Sequence, residues 1–216
     1  MLTVLVDYDS GNLHSAYKAF SLMAREVNAG EVLVSARPED VARADRIVLP
    51  GDGAFPACRH ALSAQTGLFE AIEDAVIRRA RPFFGICVGM QMMATWGREY
   101  RDTAGFDWIA GEVVRIEPED GRLKVPHMGW NDLVIDQPLG GAHPVLAGLA
   151  TGDHAYFVHS YHFRVKTTAE RLAHCDYGLA ITAIIGKDTM IGTQFHPEKS
   201  QATGLRLIGN FLTWRP

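Results

Sequence analysis

Through the first hundred residues the hydrophobic pattern switches repeatedly between a strand-like and a helix-like period, and few folds accommodate that. Thr3 to Tyr8 is a short β-branched run. Gly11 and Asn12 break it, and Leu13, Tyr17, Phe20 and Ala24 then recur at helical spacing. Glu31 to Ser35 and Arg46 to Pro50 read as further strands, the second opening onto the glycine-rich turn GDGAF. Residues 56–81 carry a helical pattern, interrupted at Gly67, with Phe69, Ile72 and Val76 on one face. Phe83 to Ile86 is a strand again, and Val88 to Trp96 predicts a helix. Alternation of this kind predicts an α/β fold, a mostly parallel central sheet with helices on both faces.

The second half changes character. GEVVRIE, GWNDLVI, AYFVHSYHFRV, ERLAHC, LAITAIIG and TMIGTQF are mostly strands with short turns, which predicts an antiparallel or mixed extension of the sheet. Ser200 opens a final helix with Leu205, Ile208, Phe211 and Leu212 on its apolar face. No shift in composition marks a boundary, so residues 1–216 are expected to form a single domain.

Composition excludes several classes. Hydrophobic residues make up 47% of the chain, too many for a disordered protein. A net charge of -4 without a basic run argues against a nucleic-acid surface. No apolar stretch approaches the roughly 20 residues that span a bilayer, and MLTVLVDYDS lacks the basic start and cleavage site of a signal peptide. Cys58, Cys87 and Cys175 are odd in number, widely spaced and without a CxxC pair. A disulfide scaffold or a zinc site is not expected, and the reducing cytoplasm is. The phosphate-binding pattern GxxxxGK[ST] is absent, and no metal or cofactor is expected.

The chemistry concentrates in three segments. In FFGICVGMQ, Cys87 stands at a strand-to-helix junction between Gly85 and Gly89. A sharp turn there displays a nucleophile beyond the sheet edge, needs small neighbours, and sets a helix N-terminus behind the sulfur, which favours thiolate. The competing reading is a buried structural cysteine. In GTQFHPEKS, His196 and Glu198 follow an apolar strand. Glu198 is placed to orient one imidazole nitrogen while the other faces the thiol; taken alone, the segment is also an ordinary surface turn. In LPGDGAF, the glycines around Asp52 let a peptide N–H at Asp52 or Gly53 face a developing oxyanion, with Val88 N–H as the second donor. A simple tight turn is the alternative.

Together, GICVGMQ and the downstream FHPE resemble the class I glutamine amidotransferases over essentially the whole chain. DYDSGNLHS, LPGDGAF, VPHMGWN, YFVHSY and GTQFHPEKSQ are similar, within that superfamily, to the glutaminase-subunit family of imidazole glycerol phosphate synthases of histidine biosynthesis. The resemblance implies a Cys87-His196-Glu198 triad that hydrolyses glutamine through a glutamyl thioester. It implies a substrate site containing Gly51, Gln91, Glu99, His159, Ser160 and Tyr161. Two positions depart from the family pattern: Asp52 stands where valine is frequent, and Asp9 where glycine is common.

Free ammonia in neutral water becomes non-nucleophilic ammonium, so a glutaminase that feeds a synthesis needs a dry passage to a partner. The resemblance implies that this partner is a (β/α)8-barrel cyclase, joined as a heterodimer, that makes imidazole glycerol phosphate and AICAR. Asn12, Trp130, Asn131 and Lys199 are the expected contacts. Trp130 is equally readable as a core aromatic, and Lys199 as a solvated charge. Rival readings are a glutaminase of another synthase or of sugar amination, a γ-glutamyl hydrolase or cysteine peptidase, and a non-catalytic interaction protein.

Overall fold

The computed structural model describes residues 1–118, 121–136 and 143–216. The chain begins β1 (Leu2–Val6), α1 (Leu13–Glu26), β2 (Glu31–Ser35), α2 (Pro38–Arg43), β3 (Arg46–Gly51), α3 (Phe55–Ala64) and α4 (Leu68–Glu73). It continues with β4 (Phe83–Cys87), α5 (Val88–Gln91), β5 (Trp96–Gly97), β6 (Thr103–Ala104), β7 (Gly111–Arg115), β8 (His127–Asp132) and β9 (Val134–Ile135). It closes with β10 (His154–His159), β11 (Tyr161–Val165), β12 (Arg171–Asp176), β13 (Ala180–Lys187), β14 (Met190–Thr193) and α6 (Gln201–Thr213). Among the described residues no helix is long and apolar enough to cross a membrane.

An eight-stranded sheet in the order β2-β1-β3-β4-β14-β13-β12-β9 organises the molecule. The strands from β2 to β14 pair in parallel, and β13, β12 and β9 continue antiparallel. Adjacent residues of β4 show how both faces are covered, because successive side chains of a strand point opposite ways. Phe84 packs on Phe20 of α1 and Phe211 of α6, with ring centroids 5.9 and 5.2 Å away. Phe83 meets Trp108 edge-on at 5.1 Å, and Trp108 continues through Phe106 to Phe69 of α4.

Register places the chemistry. Gly51 lies opposite Cys87 across β3 and β4, and Thr193 opposite Ile86 across β14 and β4. Three strands therefore end together, and the segments that leave them share one edge of the sheet, where open α/β sheets build their sites.

Three expectations need correction. The second-half strands do not all extend the main sheet: β10 pairs with β8 alone, and β11 joins β7, β5 and β6 in a separate four-stranded sheet. AYFVHSYHFRV is two strands parted at Ser160, each going to a different sheet. Alternating apolarity reports a half-buried strand but not its neighbour. The helix expected over Val88 to Trp96 ends at Gln91. The carbonyls of Met92, Met93 and Ala94 are taken by the N–H groups of residues 106–109, so the helical ladder stops there. Tyr17 faces solvent, and α1 buries Ala16, Ala19, Phe20 and Ala24.

Phe84 bridges two helices from a central strand. Phe84→Ala is expected to cost about 3–5 kcal/mol in denaturant unfolding; a loss below about 1 kcal/mol contradicts the packing described.

Candidate active site

Cys87 has φ 54° and ψ -111°, a left-handed backbone unusual for a residue with a side chain. The turn is tight enough that its neighbours have no room for side chains. A Cβ on Gly89 would overlap the Leu49 carbonyl oxygen, and one on Gly85 would lie 2.6 Å from the Gly89 carbonyl oxygen. The strand thus bends sharply at Cys87 and turns its Sγ into a cavity of about 220 Å³. That is smaller than the roughly 300–1,000 Å³ of sites for larger ligands and suits an amino acid. Asp52, Gly53, Val88, Gln91, Glu99, His159, Ser160 and Tyr161 line it, with Pro126 and Val158. Gly51 is buried in β3, where a Cβ would come within 2.6 Å of Gly89 N, and is not part of the lining.

His196 and Glu198 are almost wholly buried, with His196 Nδ1 2.9 Å from Glu198 Oε1. The other ring nitrogen is left for Cys87, whose interaction with the ring adds to that of Glu198. Burial alone would push the imidazole down. The hydrogen bonds and charges of Cys87 and Glu198 outweigh it and raise His196 to about 10. The imidazole is therefore charged at neutral pH. With α5 only one turn long, this imidazolium rather than a long helix is the main positive charge beside the sulfur. The ring's backbone is clamped to β10: His196 N donates to the Tyr156 carbonyl, and the Ser200 hydroxyl donates to the His196 carbonyl while accepting from Tyr156 N.

Opposite the sulfur, Gln91 Nε2 donates to the Tyr161 carbonyl and to Gln194 Oε1, both at 3.0 Å, and Gln194 Nε2 lies 3.7 Å from Cys87 Sγ. Gln194 was not anticipated from the sequence. It sits inside GTQFHPEKS, but nothing in the local pattern says that its amide meets the cysteine. Glu99 lines the cavity and accepts from Phe55 N at 2.7 Å through Oε2.

The Asp52 turn is tied to Ser10 and Cys58. Asp52 N donates to Ser10 Oγ at 3.3 Å; the Ser10 hydroxyl donates back to the Asp52 carbonyl at 2.9 Å, and the Cys58 thiol reaches the same carbonyl at 3.4 Å. Cys58 is thus a hydrogen-bonding partner of the turn. Burial pushes its pKa up, which keeps the proton it donates. Burial likewise raises Cys175, to about 12, and all three cysteines are free. Gly53, at φ 114°, needs its missing side chain for the turn. Asp52 itself is exposed, so its carboxylate has water to solvate it. Asp9 adopts φ 62°, so an aspartate serves there in the conformation that glycine favours.

The expected docking residues divide. Trp130 is 48% exposed and Met128, on the same strand, 61%, which settles Trp130 as a surface aromatic. Lys199 is half-buried next to Glu198. Asn12 caps α1 by accepting from Ser15 N. Asn131 turns inward: its Nδ2 meets the Asp176 carbonyl and His127 Nε2.

The chain is similar to known proteins over essentially its whole length. The family described as glutamine amidotransferase class-I matches residues 4–213. The imidazole glycerol phosphate synthase subunit HisH of Cereibacter sphaeroides is 76% identical over 216 residues, covering 100% of both chains. The protein of the same description from Ruegeria pomeroyi is 65% identical, again over 100% of both. A crystal structure titled glutamine amidotransferase superposes with a TM-score of 0.70 at 19% identity, covering 97% of this chain and 96% of that one, a likeness of fold.

The raised His196 has a signed consequence. Because its folded value lies above the ordinary one of about 6.5, the stability it contributes is fully present below that pH and is lost as pH rises through about 10. In NMR titrations of the full chain His196 is expected to change state near 10, and Glu198→Gln to move that transition down by about one pH unit or more. A wild-type transition near the ordinary value contradicts the buried ion pair.

Proposed function

The chain belongs to the class I glutamine amidotransferases, and on that premise we propose that it is the glutaminase subunit of an imidazole glycerol phosphate synthase, supplying ammonia for histidine biosynthesis. The observation that carries this reading is the buried Cys87, His196 and Glu198 set at a shared sheet edge, with Cys87 opening on an amino-acid-sized cavity. Full-length relatives described as that subunit support the choice of synthase.

The chemistry follows from the site. Glutamine lies in the cavity with its ammonium towards Glu99 and its carboxylate towards Ser160 and Tyr161. The Cys87 sulfur attacks the side-chain amide carbon, and the C=O electron pair moves to oxygen. Val88 N–H is one donor for that oxyanion. His196 gives its proton to the nitrogen, the C–N bond breaks, and ammonia leaves a glutamyl thioester. Neutral His196 then takes a proton from water, the hydroxide attacks the thioester, and the C–S bond breaks to give glutamate. Glu198 holds the ring oriented and offsets its charge throughout.

The second oxyanion donor is the Asp52 N–H, and a bond to Ser10 occupies it. We assign the partner-dependent step to turning this peptide towards the sulfur, so that the glutaminase is slow alone and fast in the complex. The partner is a (β/α)8-barrel cyclase. The exposed Met128 and Trp130, with Lys199 beside Glu198, give it an apolar patch next to the triad. Asn12 lies at the same sheet edge as the Ser10 turn. Three free thiols accord with a reducing cytoplasm.

Glutamate release tests the reading. The wild-type chain is expected to hydrolyse glutamine slowly, to accelerate by at least about a hundredfold with the cyclase and its ligand, and to lose activity in Cys87→Ala. Activity that survives in the alanine variant overturns the mechanism. Ser10→Ala is expected to raise the partner-independent rate by roughly three- to tenfold, the worth of one hydrogen bond. An unchanged or lower rate removes the Ser10 contact from the switch.

A further inference from the structure

Two buried histidines outside the triad form a directional chain of hydrogen bonds, and the direction can be deduced. His159 Nδ1 is 2.8 Å from the Tyr161 carbonyl oxygen, which only accepts, so Nδ1 carries the proton. Burial holds the His159 ring neutral, pushing it to about 3, so its Nε2 keeps a lone pair. His127 Nδ1 lies 3.0 Å from that Nε2 and must donate to it. Burial lowers His127 to about 4, so this ring too is neutral, and its Nε2 accepts from Asn131 Nδ2 at 3.3 Å. The amide of Asn131 is itself fixed: Nδ2 also donates to the Asp176 carbonyl at 2.9 Å, and Oδ1 accepts from Asp132 N. Both rings are therefore the Nδ1–H tautomer, and each link fixes the next.

Packing locks the middle of the chain. The His127 ring is stacked between Tyr177, at 4.0 Å, and Phe157, at 4.8 Å. It cannot swing without unstacking both. The far end of the chain is the cavity. The Tyr161 carbonyl that receives His159 also receives Gln91, and His159, Tyr161 and Gln91 all line the cavity while His127 does not.

We propose that His127 is a positioning residue for the glutaminase site: as the Nδ1–H tautomer it orients His159, which in turn holds the Tyr161 carbonyl and with it the corner of the cavity where the amino-acid end of the substrate is bound. It touches no substrate and transfers no proton. Its effect is on binding rather than on the chemical step, because the chain ends on the Tyr161 carbonyl, at the amino-acid end of the substrate, and not on Cys87, His196 or Glu198. Asn131, on the same strand as the exposed Trp130, closes the outer end of the chain. The proposal rests on the glutaminase reading for its kinetic readout, and on hydrogen-bond geometry and burial for its spectroscopic one.

The test pairs the two. In 15N NMR of the full chain, His127 and His159 are both expected to show a protonated Nδ1 and a bare Nε2; an Nε2–H tautomer at His127 overturns the proposal. In steady-state glutamine hydrolysis by the complex with the cyclase, His127→Leu is expected to raise KM about tenfold while changing kcat less than about threefold. His127→Asn, whose amide places a donor near the lost Nδ1, is expected to bring KM back to within about threefold of wild type. An unchanged KM in His127→Leu, a kcat loss in place of a KM rise, or equal defects in both variants contradicts the positioning role. Should His127→Leu fail to fold, the Asn variant and the wild-type tautomers decide. Failure of the glutaminase reading is distinct: the wild-type complex itself would then release no glutamate.

Discussion

The close approach of Gly89 to the Leu49 carbonyl fixes most of the active-site geometry. It brings the start of α5 down on the end of β3, so β4 must turn within one residue, and that residue is Cys87 with a positive φ. A left-handed backbone at a residue with a side chain costs on the order of 1–3 kcal/mol, and the surrounding sheet must hold it there. It does so through parallel register: β3, β4 and β14 end together, so the Asp52 turn, the nucleophile and the segment leading to His196 leave the sheet side by side. Loosening any of these contacts would let the sulfur relax away from the imidazole.

Around this frame the same side chain serves two electrostatic purposes. His196 sits between a carboxylate and a thiol and is raised to about 10. His127 and His159 are also buried but gain no carboxylate partner: burial holds both neutral, and the neighbouring His162 and His196 push His159 further down. The division is set by neighbours, not by depth. In the proposed mechanism a charged ring is the proton donor that a leaving ammonia needs. Neutral rings with fixed tautomers are donors that do not switch off when pH drifts across the physiological range.

The first half of the fold was legible because each strand and helix there announces itself within ten or so residues. Strands alternating with helical faces leave a parallel sheet as almost the only arrangement. The grouping of Cys87 with His196 was legible for a similar reason, since each follows a short apolar strand and strand ends carry sites in such sheets. What stayed hidden depends on tertiary partners. The helix after Cys87 stops early because the loop at residues 106–109 captures its carbonyls, a contact with no local signal. The second-half strands parted into extra sheets because alternating apolarity does not name a neighbour. Ser10, Cys58 and Gln194 are ordinary residues in sequence, and only folding brings Ser10 and Cys58 to the Asp52 turn and Gln194 to the sulfur. Asn131, expected at an interface, also bonds His127 and Asp176, contacts with no local signal.

The central claim is that Cys87 becomes covalently bound to the glutamyl group during turnover. The direct measurement is acid quenching of the cyclase complex during steady-state turnover of isotopically labelled glutamine, followed by peptide mass spectrometry. The account predicts a labelled glutamyl thioester on the peptide carrying Cys87, lost on incubation with hydroxylamine. Label on Cys58 or Cys175, or glutamate formed at full rate with no label on any cysteine, would contradict it.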